Sequence, residues 1–474
     1  MRRAEATGGF AEDPDEALAA TTPAPRRTVP PHTDGVALFP DASGRTGEQP
    51  TDHGPLPPTN VPVSTANTVR ALDLVLAQMS ARRMTTTVNC LADKRFAGRQ
   101  AGTPGGVAAR AWLADQLAEL NATVAVAPFD APRVPEVYAA PQVRWNDGRA
   151  LREPVFGRDV GLHLTSSDAP LIRRGELAVA GQGDPTGRWL VVPAAMSVFD
   201  AYGHAGRSCG LLLPGSTGID GWLTTTLAGT DAGPLPMLVL EPNLHAAVHG
   251  AAAQRRGWWS ANAPIRRLDL TAANIHASFA TARDADLEIL LTAHFDGVGD
   301  VPGLRQPAAS HAGGVAVVLE AARLLAAAPP PRTALRVALL DAEALGGRGA
   351  AHHAATLASD GARPLVISID GAGLVRRAAH VGAGGDAHRL LATVDQAGRH
   401  VCLPLSPRPL ISDDRRYAAA GLATVGIGAG MGGDHSPADT PDRVQPASLV
   451  ALARLVVATV WLTARHAARF RRAA

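Results

Sequence analysis

Four apolar runs of strand length, each stopping at a histidine or a carboxylate, constrain this chain more than any other feature. They are "LEILLTAHFD" (287–296), "ALRVALLDAE" (334–343), "RPLVISID" (363–370) and "ATVGIGAG" (423–430), the last continuing through a Gly-rich loop to Asp434-His435. Such near-continuous apolar runs fit strands buried on both faces of a sheet. "GGVAVVLEAARLLAAA" (313–328), between the first two, has helical character. Strands alternating with helices predict an α/β fold with a mostly parallel central sheet flanked by helices. At the carboxyl ends of parallel strands, residues far apart in sequence converge in space. His294, Asp296, Asp341, Glu343, Asp370 and His435 are therefore candidates for one site. Taken singly, each reads as a capping or turn residue; four strand ends of this kind point to a site. Histidine and carboxylate are also the zinc ligands expected where cysteine is not used.

The rest of the chain divides by texture. Residues 1–64 are rich in Pro, Thr, Asp and Gly without apolar periodicity, which predicts a disordered tail. Order is expected to begin near "STANTVRALDLVLAQMSARRM" (64–84), where Val69, Leu72, Leu76 and Met79 recur at helical spacing. The helix "GGVAARAWLADQLAEL" (105–120) and the strand "ATVAVAPF" (122–129) follow. From about 155 to 262, short strand-like runs such as "GELAVAG", "RWLVVPA", "GLLLPG" and "MLVLEP" alternate with turns, which predicts a β-rich insertion. The expected domains are thus 65–150 joined with 263–474, interrupted by 155–262.

Composition excludes several classes. Of 474 residues, 46% are hydrophobic and 19% charged, with a net charge of +2. These values fit a globular chain and argue against a nucleic-acid partner. Cys90, Cys209 and Cys402 are odd in number and widely spaced, fitting neither a disulfide framework nor a cysteine zinc site, so a reduced, cytoplasmic setting is expected. The N-terminus has no apolar segment resembling a secretory signal. The late apolar stretch 449–470 carries Arg454 and reads as a helix too short for a bilayer, so no membrane segment is expected.

The ordered elements "AHFD", "SHAGGVAVVLEAARLL", "LLDAEALGGRG", "ISIDGAG", "SDDRRYAAAG" and "DHSPADTPDRV" resemble the M28 family of zinc aminopeptidases. The likeness runs over nearly everything after residue 65, and the insertion resembles the protease-associated (PA) domain of some members. The resemblance implies two zinc ions about 3.5–4 Å apart, bridged by an aspartate and a water. It also implies roles: His294 and Asp370 on the first metal, Asp296 steadying them, His435 on the second metal, and Glu343 as general base.

Two positions depart from the family pattern. The bridging aspartate is expected where the chain reads Ser310-His311-Ala312-Gly313-Gly314, and the second metal's glutamate where it reads Ala344. Neither half then reaches the three protein ligands usual for catalytic zinc, so one zinc ion at most, or none, is expected. Three readings stay open. The first is a non-catalytic homologue that holds a peptide or amino-acid derivative in its cleft. The second is a mononuclear hydrolase in which His311 replaces the lost ligand and Glu343 is the base. The third is metal-free acid/base chemistry by His311, Glu343 and His435. No oligomeric interface is read from the sequence.

Other features take ordinary readings. His352-His353 is expected on a helix surface, and Trp258-Trp259 at the exit of the insertion. "GAGGDAHR" (382–389) is read as lacking the strand-then-helix frame of a phosphate loop, and no Gly-x-Ser-x-Gly element competes.

Overall fold

The computed structural model describes residues 63–470 except 219, 226–230, 281–284, 411, 432–434, 468 and 469. The tail reading for residues 1–64 falls almost wholly outside the described residues. The helical stretch expected at 64–84 is two helices, α1 (Val63–Leu76) and α2 (Ala81–Leu91). Ser80 separates them, because its side chain caps α2 by accepting from Arg83 N–H. α3 (Pro104–Ala118) starts in the same way, with Thr103 accepting from Gly106 N–H and Pro104 in the first turn.

The chain then enters β1 (Thr123–Val137) and crosses into a second sheet: β2 (Val143–Asn146), β3 (Leu151–Arg152), β4 (Val160–Leu162), β5 (Ala169–Val179) and β6 (Trp189–Val191). After α4 (Val198–Gly203) come β7 (Gly210–Pro214), β8 (Met237–Leu240), α5 (Pro242–Ala253) and β9 (Trp258–Ala263). Their order is β3-β2-β9-β5-β6-β7-β8-β4. The sheet takes in strands that precede residue 155, since β2 pairs antiparallel with β9, setting Trp145 opposite Trp259. Both indoles are buried, and they anchor the insertion's own core.

The chain returns through β10 (Ile265–Ser278) to β11 (Leu287–His294), α6 (Ala309–Ala327), β12 (Thr333–Leu340), α7 (Arg348–Ser359) and β13 (Leu365–Asp370). β14 (Ala379–Gly384), α8 (His388–His400), β15 (Leu405–Pro407), α9 (Asp414–Ala419), β16 (Thr424–Gly428) and α10 (Pro446–Arg465) complete it. The first sheet runs β1-β10-β12-β11-β13-β16-β14-β15. Its four central strands, β12-β11-β13-β16, are parallel, while β1, β10 and β14 join antiparallel. Helices α1, α2, α3, α6, α8 and α10 share one large core with this sheet, and α7 packs with Leu290, Val366 and Tyr417 in another. Gly314 lets α6 lie close to β13, since a Cβ there would sit 2.9 Å from the Ile369 carbonyl oxygen.

Three expectations need correction. α6 and α10, at 19 and 20 residues, are long and apolar enough to cross a membrane, so the length argument against a span fails for α10. Their apolar windows are instead 89% and 78% buried inside the fold, as in core helices. Residues 382–389 do form a strand–turn–helix, from β14 into α8. Gly385 serves packing there: its φ is +64°, and a Cβ would lie 2.2 Å from the Leu422 carbonyl oxygen. Finally, His353 is not on the surface. α7 turns it inward, where it stacks on His276 with ring centroids 4.1 Å apart and meets the Tyr417 hydroxyl at 2.8 Å. His352 stays exposed and stacks on Phe129.

Candidate functional site

The register of the parallel strands assembles the rim. His294, the last residue of β11, lies opposite Leu340 at the end of β12, so Asp341 to Glu343 emerge beside it. Asp370 ends β13 opposite Gly428, from which the chain runs on toward His435. All four strand ends thus meet at the carboxyl edge of the sheet.

Asp341 and Glu343 have different tasks although they sit two residues apart. The Asp341 carboxylate accepts from Ala273 N–H at 3.0 Å and Ala342 N–H at 2.9 Å, and so braces β12 against β10. Burial, with Asp296 nearby, pushes its pKa up to about 7. Ala342 then takes a left-handed φ of +61°, and this turn swings Glu343 onto the rim.

Asp296 is fully buried and organises the centre. Its two carboxylate oxygens accept from the backbone N–H groups of Glu343 (3.0 Å) and Ala344 (3.1 Å). His294 lies between two carboxylates, with Nδ1 3.3 Å from Asp296 Oδ1 and Nε2 3.1 Å from Asp370 Oδ1. Burial opposes charge on the imidazole, but Glu343, Asp370 and Asp296 together raise its pKa well above 6.5. Burial acts to raise the Asp370 pKa, yet the His294 charge and hydrogen bond bring it below the ordinary range. The Glu343 carboxyl is pushed up to about 7 by burial, against the pull of His294. That value suits a group that exchanges protons near neutral pH.

His311 and His435 stand beside this cluster. The His311 ring centroid is 4.5 Å from that of His294 and 5.2 Å from that of His435. His311 Nδ1 lies 3.3 Å from the Asp296 carbonyl oxygen. Burial, reinforced by His294 and His435, holds its pKa well below 6.5, so the ring is neutral. His435 has a φ of +57°, and its Nδ1 is buried without a hydrogen-bond partner among the described residues. Its carbonyl oxygen accepts from Thr225 N–H of the insertion at 2.9 Å.

Ser310 turns another way. Its N–H and hydroxyl donate to the two oxygens of buried Asp439, at 2.8 and 2.6 Å. Ala344 presents a buried methyl group. The structure therefore brings His294, Asp296, His311, Glu343, Asp370 and His435 together at one rim, while Asp434 lies outside the described residues. Among the described residues, no group of three or more His, Cys, Asp or Glu is arranged to hold a metal ion.

Three participants escaped the sequence reading. Asp439 lies within "HSPADTPDRV", which singled out only its histidine. Asp413, within "SDDRRY", is 1% exposed with neither carboxylate oxygen partnered among the described residues. Burial, and then Glu343, Asp296 and Asp370 against the pull of His294, raise its pKa well above normal. Arg99, fully buried, donates to the carbonyl oxygens of Phe295 (2.6 Å), Leu91 (2.5 Å), Pro307 (2.9 Å) and Ala308 (2.8 Å). It ties the His294–Asp296 loop to the start of α6. In the sequence it stands only as a Gly-Arg pair shortly before α3, which does not by itself reveal this role.

Sheet, helices and rim together define an α/β protein whose histidines and carboxylates gather at the carboxyl edge of a mostly parallel sheet. Residues 274–460, which build that rim, match the model of Peptidase family M28. The fold is shared with the aminopeptidase from Aneurinibacillus sp. strain AM-1, at 21% identity and a TM-score of 0.65 over 82% of this chain and 95% of that one. It is also shared with BSAP, a zinc aminopeptidase from Bacillus subtilis, at 17% identity and a TM-score of 0.61 over 81% and 95%. A Peptidase M28 precursor from Shewanella amazonensis SB2B aligns at 16% identity with a TM-score of 0.64 over 84% and 97%. No curated protein matches the chain in sequence.

Proposed function

We propose that this M28-type protein holds a peptide or amino-acid derivative at the rim without the two-zinc hydrolysis that its resemblance implies. The observation that carries the reading is the Ser310–Asp439 pair. Where a bridging carboxylate is expected, a hydroxyl stands instead, and it is engaged by Asp439 at 2.6 Å. Ala344, in the place of the second metal's glutamate, offers no donor atom. A hydroxyl is a poor substitute for the anion that offsets repulsion between two close dications. The residues present do not fit a pair of zinc ions. The β-rich insertion, in this reading, is a PA-like module beside the cleft, and three free thiols support a reducing, cytoplasmic setting.

The test is hydrolysis of leucine p-nitroanilide by the full chain with added zinc. Turnover should stay at the blank rate in wild type and in Glu343→Gln alike. Hydrolysis that Glu343→Gln abolishes would overturn the reading.

One observation favours a second reading, a single zinc ion. With its Nδ1 proton donated to the Asp296 carbonyl, His311 keeps a free lone pair on Nε2, the tautomer a metal-binding histidine needs. His294, Asp370 and His311 would then hold the ion, which would supply Lewis acidity. Glu343 would take the proton from the attacking water.

A further inference from the structure

Between the two sheets lies a cavity of about 640 Å³, within the range of small-ligand pockets. Leu162, Leu164 and Leu223 of the insertion face Val298, Leu304 and Gln306 of the peptidase-like half across it. The Gln306 side chain is the unusual element. The residue is 5% exposed and its N–H donates to Asp300 Oδ1 at 2.7 Å, yet Oε1 is buried with no donor among the described residues. Buried acceptors are nearly always met, and a ligand N–H could serve this one.

The cavity adjoins the rim. Val298 and Gln306 also line a small recess with His311, His435 and Asp439. Thr225, on the cavity wall, donates its N–H to the His435 carbonyl oxygen. At the cavity edge Arg266 pairs with Glu136 at 2.5 Å, and Asp300 accepts the Gln306 backbone N–H. An occupant with an uncharged, apolar body and backbone-like N–H donors suits these walls.

We propose that this intersheet cavity holds the body of a short peptide with apolar side chains, one backbone N–H donating to Gln306 Oε1 and one end directed at His311 and His435. The proposal rests on the reading that the rim takes a peptide or amino-acid derivative, and adds where the remainder of the chain lies and which side chains are accepted.

Titration calorimetry of the full chain with tri-leucine and with free leucine tests it. Gln306→Leu, which removes the acceptor, should weaken tri-leucine about tenfold. Thr224→Trp, which fills the cavity and removes no described polar contact of the side chain, should abolish tri-leucine binding. Neither variant should change binding of leucine, which needs only the rim. Thr224→Trp decides the matter if Gln306→Leu does not fold. Tri-leucine bound equally by wild type and Thr224→Trp overturns the cavity and leaves the rim reading standing. If wild type binds neither compound, both fall.

Discussion

Replacing Arg99 by methionine keeps most of the side chain's bulk and removes every donor. The guanidinium makes four hydrogen bonds to backbone oxygens drawn from the end of α2, the loop after β11 and the entry to α6. Burial lowers its pKa to about 10, while Asp439, Asp296 and Asp300 act to raise it, so it is charged at neutral pH. Each stripped carbonyl costs at least about 1 kcal/mol when no water replaces the donor. Four of them give about 4 kcal/mol, in line with the 3–5 kcal/mol typical of deleting one member of a buried charged cluster. Arg99→Lys should recover about half, because a lysine ammonium has three donors on a point charge and does not span four oxygens. Urea unfolding followed by tryptophan fluorescence reads both variants. A loss below about 1 kcal/mol for Arg99→Met would refute the claim that this residue holds the rim together.

Ser310→Ala leaves Asp439 Oδ2 buried without its hydroxyl donor, and should cost about 2 kcal/mol in the same assay. His353 should make the fold acid-sensitive. Burial, with His276 and Arg336 adding to it, lowers its pKa from 6.5 to about 3, so between those values the unfolded chain binds the extra proton. Its contribution is therefore complete above pH 6.5 and falls with decreasing pH, by about 2 kcal/mol at pH 5 at about 1.4 kcal/mol per unit. The change in unfolding stability between pH 7 and pH 5 should be more unfavourable in wild type than in His353→Gln by about that amount. Leu452→Ala, at a fully buried position of α10, should cost about 2–5 kcal/mol; a smaller loss would mean that α10 is not a core helix.

The strands at the centre of the sheet were legible because burial on both faces leaves a near-continuous apolar run, as at 289–293 and 337–340. The antiparallel edges were not, since pairing of β1 with β10 is set by residues more than a hundred positions apart. Within "LLDAE" both carboxylates look alike in sequence. Only Asn274, accepting from Asp341 N–H at 3.0 Å and donating to the Gly349 carbonyl, and the left-handed Ala342 turn one into a brace and the other outward. The His294–Asp370 pair was legible from strand ends alone. Asp439 was not, because its partner Ser310 lies 129 residues away. His352-His353 misled for a local reason: adjacent residues on a helix point in different directions, and α7 packs one of them against His276.

The central claim is that Ser310 and Ala344 leave this M28 rim short of donors for two zinc ions. Zinc content, measured by mass spectrometry on full-length wild-type chain equilibrated with zinc and freed of excess without chelator, tests it most directly. The account predicts no more than one zinc ion per chain at the rim. Two ions per chain, both lost in His294→Ala and His435→Ala variants that still fold, would contradict it.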